Sequence, residues 1–154
     1  MEPFAAIRPD DWNLPLLLHV LGAMVLVGVL ALATASVAAA WRSGSGALTR
    51  LGFRALLWAG LPAWIVTRVS AEWIADKEGI PTDDPPSWIE MGFAVSDQGL
   101  LLLIVATVLT GIGARRAGRG TGSAVALDRV AAVLLAISVL AYLAAVWAMT
   151  TKPT

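Results

Sequence analysis

The chain contains no cysteine in its 154 residues, which excludes disulfides, thiol redox chemistry and Cys-ligated metals or clusters. Histidine occurs once, at His19, and tyrosine once, at Tyr142. A haem held by two histidines therefore needs two copies of the chain, or a second ligand of another type such as Met149 or Met91. Charged residues make up only 14% of the sequence. No basic region precedes the first apolar run, which is longer than the roughly 7 to 15 residues of a signal-peptide core, so a cleavable signal peptide is not expected. Nor is a nucleic-acid partner expected.

What is abundant is apolar. Hydrophobic residues reach 58% and the mean hydropathy is +0.76, well above the roughly 45 to 50% apolar content of soluble domains. These residues come in blocks, and a membrane-spanning helix needs about 20 of them. The blocks predict helices over about 14–41, 51–73, 88–114 and 127–149, with a break near Ser96 left open in the third. The expected fold is all-α: an antiparallel four-transmembrane-helix bundle forming a single domain over 1–154, with an acidic loop at 75–87.

Zero net charge hides a separation along the chain. Arg42, Arg50 and Arg54 flank the first connection, and Arg115, Arg116, Arg119 and Arg129 flank the third. The second carries Asp76, Glu78, Asp83, Asp84 and Glu90 against Lys77. Short basic loops stay in the cytoplasm, so the acidic loop and both termini are expected outside a bacterial cytoplasmic membrane. In the first helix Gly28, Ala31, Ala33, Ala35, Ser36 and Ala38 offer the small side chains through which helices approach in lipid. They imply association with a second copy or with another membrane protein.

The second block organises the rest. Arg54, Trp58, Leu61, Ile65, Arg68 and Glu72 recur at steps of three or four and would form one stripe on a regular helix, turned away from lipid. Pro62 removes a backbone hydrogen bond and predicts a kink, and a bend there would open space beside Arg68. Ser87 and Glu90 read as a capping box that starts the third helix at Trp88. That start puts Asp97 about 13 Å along the helix, where burial of at least half its side chain is expected.

Depth along the helices then gathers the polar residues. His19, Arg68, Glu72, Asp97, Gln98, Trp64 and Tyr142 fall near one end of their helices, and the other end carries almost nothing polar beyond small hydroxyls. Ionisable groups at membrane depth are costly unless paired or hydrated, so they mark functional sites. The sharper reading is a ligand-binding pocket in which Arg68 takes an anionic or carbonyl group and Tyr142 forms a wall. The plainer reading pairs Arg68 with Glu72, four residues on, while His19 donates to a backbone carbonyl. His19 and Met149 are the candidate metal ligands for haem or copper, and His19, Glu72 and Asp97 for zinc. Ser70 and Ser96 carry no nucleophile signature, so catalysis is not expected.

Leu18-His19-Val20-Leu21-Gly22-Ala23 resembles the Leu-His-x-Leu-Gly opening of small bacterial integral membrane proteins, some of which look like relatives of the copper-resistance membrane protein CopD. The closing Trp147-Ala148-Met149-Thr150-Thr151-Lys152-Pro153 is similar to the tail of such proteins. The resemblance implies a four-helix fold and marks His19, and it carries over no activity. Three functions follow as expectations: binding or passage of a small molecule or ion around Arg68, Glu72 and His19; a haem- or copper-binding redox component; or an accessory membrane subunit without its own site.

Overall fold

The computed structural model describes residues 10–80, 86–119 and 124–151, which are almost entirely helical. A short turn at Asp10–Trp12 leads into α1 (Asn13–Ser43). The next helical rod is made of α2 (Gly46–Ala55), a π-helical turn (Leu56–Gly60) and α3 (Leu61–Lys77). Two long helices complete the chain, α4 (Ser87–Ala117) and α5 (Ala124–Thr151). Three of them, α1, α4 and α5, are long and apolar enough to cross a membrane. Asp83 and Asp84, Lys152 and Pro153, and residues 120–123 of the basic third connection lie outside the described residues.

The helix ends follow from local chemistry. Gly44 closes α1 in the left-handed region (φ 68°), its N–H reaching the Ala40 carbonyl at 2.7 Å. After α3, Gly79 (φ 64°) donates to Asp76 and Ile80 to Ala75, both at 3.1 Å. That pair is the Schellman closure, in which a left-handed residue lets the chain turn back on the last carbonyls. The start of α4 corrects the capping-box expectation. Pro86 occupies the cap, no side chain caps the helix, and the Pro86 carbonyl accepts from Ile89 and Glu90 at 2.8 and 3.1 Å. Proline, with its φ fixed near the value required, supplies the helix entry in place of Ser87. The break considered near Ser96 is also absent: α4 is one uninterrupted helix.

The core runs along α1 at helical spacing, through Gly22, Leu26, Leu30, Ala33, Val37 and Ala40. It meets Leu56, Leu103 and Leu135 from the other helices, all fully buried. Ala33 and Ser36 are buried as the small-residue reading requires, whereas Gly28, Ala31 and Ala35 face outward. Helix α5 lies against both α1 and α4, α1 also packs on α2 and α3, and α4 packs on α2 but only sparsely on α3. Partners meet head to tail: the start of α1 lies against the end of α3, and the start of α4 against the end of α5.

The stripe expected on the second rod does not form. Trp58 is 77% exposed and Ile65 54% exposed, and the inward line is instead Leu56, Gly60, Ala63 and Ser70. A π turn holds one residue more than an α turn, so the spacing of three and four that would align Trp58 with Arg68 is broken between them. The turn stands directly ahead of Leu61-Pro62, where the missing proline N–H already interrupts the α ladder.

Candidate functional site

Because α3 and α4 approach each other sparsely at the end that carries Arg68, a cleft remains there. It encloses a cavity of about 270 Å³ with walls from α1, α3, α4 and α5. The walls are chiefly apolar and aromatic, including Leu16, Ile74, Trp88, Phe93 and Met149, and the polar groups among them are few. His19, Arg68 and Tyr142 line it, as the sequence suggests. Pro62 does not: it borders a separate shallow groove with Leu18 and Gly22.

Arg68 is the electrostatic centre. Its Nη1 lies 2.7 Å from Glu72 Oε1, its Nε donates to Asp97 Oδ1 at 3.1 Å, and its guanidinium stacks 4.4 Å from the centre of the Phe93 ring. The Glu72 contact is an ion pair without hydrogen-bond alignment, so buried Nη1 has no aligned acceptor. The Arg68 side chain is 20% exposed, while Glu72 and Asp97 are 61% and 60% exposed. Asp97 thus corrects the expectation of burial. It lies ten residues into α4, yet it points out of the helix packing and back toward Arg68. Helix α4 starts where the deeper placement requires, but the face occupied by Asp97 is the one left open by α3.

His19 reaches across from α1. Its Nδ1 lies 3.1 Å from the Thr67 carbonyl, which can only accept, so Nδ1 carries the proton. Ser70 Oγ donates to the Val66 carbonyl at 2.6 Å and lies 3.1 Å from the Thr67 carbonyl. Trp64 and Gln98 are not brought to the cavity. The Trp64 indole donates to the Ser96 carbonyl at 3.0 Å, and Gln98 is exposed outside the lining. The Tyr142 ring packs against Gly99, where a Cβ would fall 2.8 Å from Cζ. Its hydroxyl is buried without an aligned partner, beside Trp64, whose N–H is spent on Ser96.

His19 and Met149 line the same cavity. Met91 is 48% exposed and outside the lining. The zinc set of His19, Glu72 and Asp97 is not assembled: among the described residues no three His, Asp or Glu side chains gather closely enough to share a metal.

Three further residues belong to this description. Phe93 stands one helical turn before Asp97 on the same face, a spacing visible in the sequence. Glu78 lines the mouth of the cavity and is itself exposed. At the opposite end of the helices, where the sequence reading found almost nothing polar within the spans beyond small hydroxyls, Asp128 is 3% exposed. It accepts from Thr49 Oγ1 at 2.9 Å, and its Oδ1 is buried with no partner. Its neighbour Arg129 lies 5.3 Å from the Trp41 ring. Adjacent opposite charges in the sequence concealed Asp128, because they face different directions on a helix. No protein family, no curated protein and no solved structure matches this chain.

Proposed function

We propose that the chain is an antiparallel four-helix membrane bundle that binds, or passes, a small molecule in the cavity around Arg68, His19 and Tyr142. In this reading α2, the π turn and α3 together form the second span, bent at Pro62, and act without catalysing a reaction. The cavity faces outward across a bacterial cytoplasmic membrane, with both termini on that side. Arg42, Arg50, Arg54, Arg115 and Arg116 lie at the opposite, cytoplasmic end, in keeping with the bias of basic residues toward the cytoplasm. The lipid bilayer is the first partner, and a second copy is a further one, meeting the outward Gly28, Ala31 and Ala35.

One observation carries the reading: all four rods contribute walls to a single cavity, and its few polar groups include an arginine whose charge is already held in place. Ligand sites are typically largely apolar with a small number of fixed polar groups. The test is ligand screening by thermal shift on purified protein, repeated with Arg68→Leu. A ligand that stabilises the parent and whose shift changes in the folded variant supports the site; an equal shift in both removes Arg68 from it.

A second reading, a haem- or copper-binding redox component, rests on His19 and Met149 lining the same cavity. A histidine that donates one ring N–H to a carbonyl presents the other nitrogen for ligation. An absorption spectrum with metal analysis separates the two: a Soret band or stoichiometric copper lost in His19→Ala establishes the redox component, and a colourless, metal-free protein leaves small-molecule binding.

A further inference from the structure

The charges around the cavity specify the kind of molecule it accepts, given the small-molecule reading above. An arginine on a cavity wall ordinarily suggests an anionic ligand. Here that charge is already spent. Glu72 and Asp97 both lie against the Arg68 guanidinium, at 2.7 and 3.1 Å, and the Phe93 ring covers one of its faces. An anion entering the cavity would meet one cation held by two carboxylates and would have to displace one of them. Glu78 adds a third carboxylate, directly on the cavity wall. Among the described residues Lys77, just before Glu78, is paired with Asp11. Glu72 and Asp97 stand outside the cavity lining and neutralise Arg68 from behind, which leaves the Glu78 carboxylate as the charge on the cavity wall. His19 also lines the cavity, and with its Nδ1 proton on the Thr67 carbonyl its Nε2 is the ring nitrogen that accepts when neutral.

The rest of the wall suits the apolar part of such a molecule. Leu16, Ile74, Ile89 and Val146 enclose it, and Trp88, Phe93 and Tyr142 supply aromatic surface. Aromatic faces attract positive charge through their quadrupole, and a low-dielectric cleft with an excess of one sign concentrates ions of the other. We propose that the cavity binds an amphiphilic cation, a molecule with an apolar body and a single positive head, the body resting among the apolar walls and the head at the mouth beside the Glu78 carboxylate.

The proposal is tested with three water-soluble probes of one chain length: hexyltrimethylammonium, hexanol and hexanoate. Their binding to the full chain in zwitterionic lipid nanodiscs is followed by calorimetry and tryptophan fluorescence. The expected order places hexyltrimethylammonium about tenfold or more above both others, since one favourable unit charge at short range in a partly solvated site is worth roughly 1 to 4 kcal/mol. Glu78→Gln should weaken the cation severalfold and leave hexanol unchanged. The double variant Glu72→Gln, Asp97→Asn, which frees Arg68, should weaken the cation and raise hexanoate binding. Equal binding of the three probes, or a preference for hexanoate in the parent protein, overturns the proposal while leaving the cavity as a binding site. Failure of all three to bind, with an unchanged fluorescence spectrum, overturns the small-molecule reading beneath it as well.

Discussion

His19 on α1 and Thr67 on α3 meet twice over: the imidazole Nδ1 lies 3.1 Å from the Thr67 carbonyl, and one turn along α1 the Thr67 side chain fills the space at Gly22. A Cβ at position 22 would fall 2.6 Å from Thr67 Oγ1 and 3.1 Å from its backbone nitrogen. The histidine and the glycine of the Leu-His-x-Leu-Gly segment therefore seat α1 on α3 at the edge of the cavity.

That contact ranks two substitutions. Gly22→Ala forces α1 away from backbone atoms and should cost about 1 to 3 kcal/mol. His19→Ala should cost about 1 kcal/mol, because the Thr67 carbonyl lies inside α3 and keeps its place in the helix backbone ladder. Denaturant titration in detergent checks the order, and a His19→Ala variant weaker than Gly22→Ala would mean that the histidine makes a stronger bond than the one to Thr67.

The same reasoning separates Tyr142 from Gly99. The Tyr142 hydroxyl is buried without an aligned partner, so Tyr142→Phe should leave stability unchanged or raise it by about 1 kcal/mol. Gly99→Ala drives a methyl into the end of the Tyr142 ring and should lower stability and distort the cavity wall. A marked loss on Tyr142→Phe, read as a drop in the melting midpoint, would show that the hydroxyl is bonded.

Thr49 and Asp128 join α2 to α5 far from the cavity. A buried carboxylate that loses the Thr49 donor, its one partner among the described residues, is left unsatisfied, so Thr49→Val should destabilise by about 1 to 3 kcal/mol. In a double-mutant cycle with Asp128→Asn the two changes should couple by roughly 0.5 kcal/mol or more, whereas strict additivity would contradict the contact.

How much of this was written in the sequence depends on how local the signal is. Helical content, the apolar blocks and the pairing of Arg68 with Glu72 rest on composition and on i, i+4 spacing, and these can be read directly. The π turn at Leu56–Gly60 cannot, and by shifting the register it parts Trp58 from the α3 residues in a stripe drawn at regular spacing. Asp97 shows a second limit. Its depth along α4 follows from where the helix starts, but its exposure depends on how sparsely α3 packs beside it, a tertiary fact. Trp64 and Gln98 share the depth of the site without sharing its face. Asp128 was hidden by Arg129, since neighbouring opposite charges look neutral along the chain and separate only when wound into a helix.

The most direct test uses the absence of cysteine. Ala71 lines the cavity on α3, one position before Glu72, and Ala71→Cys gives the protein a single thiol. Labelling with a membrane-impermeant thiol reagent on intact cells, with and without hexyltrimethylammonium, reports whether the cavity opens outward and is occupied by the cation. The account predicts labelling without permeabilisation and slower labelling in the presence of the cation. Labelling only after permeabilisation, or at a rate indifferent to the cation, would contradict it.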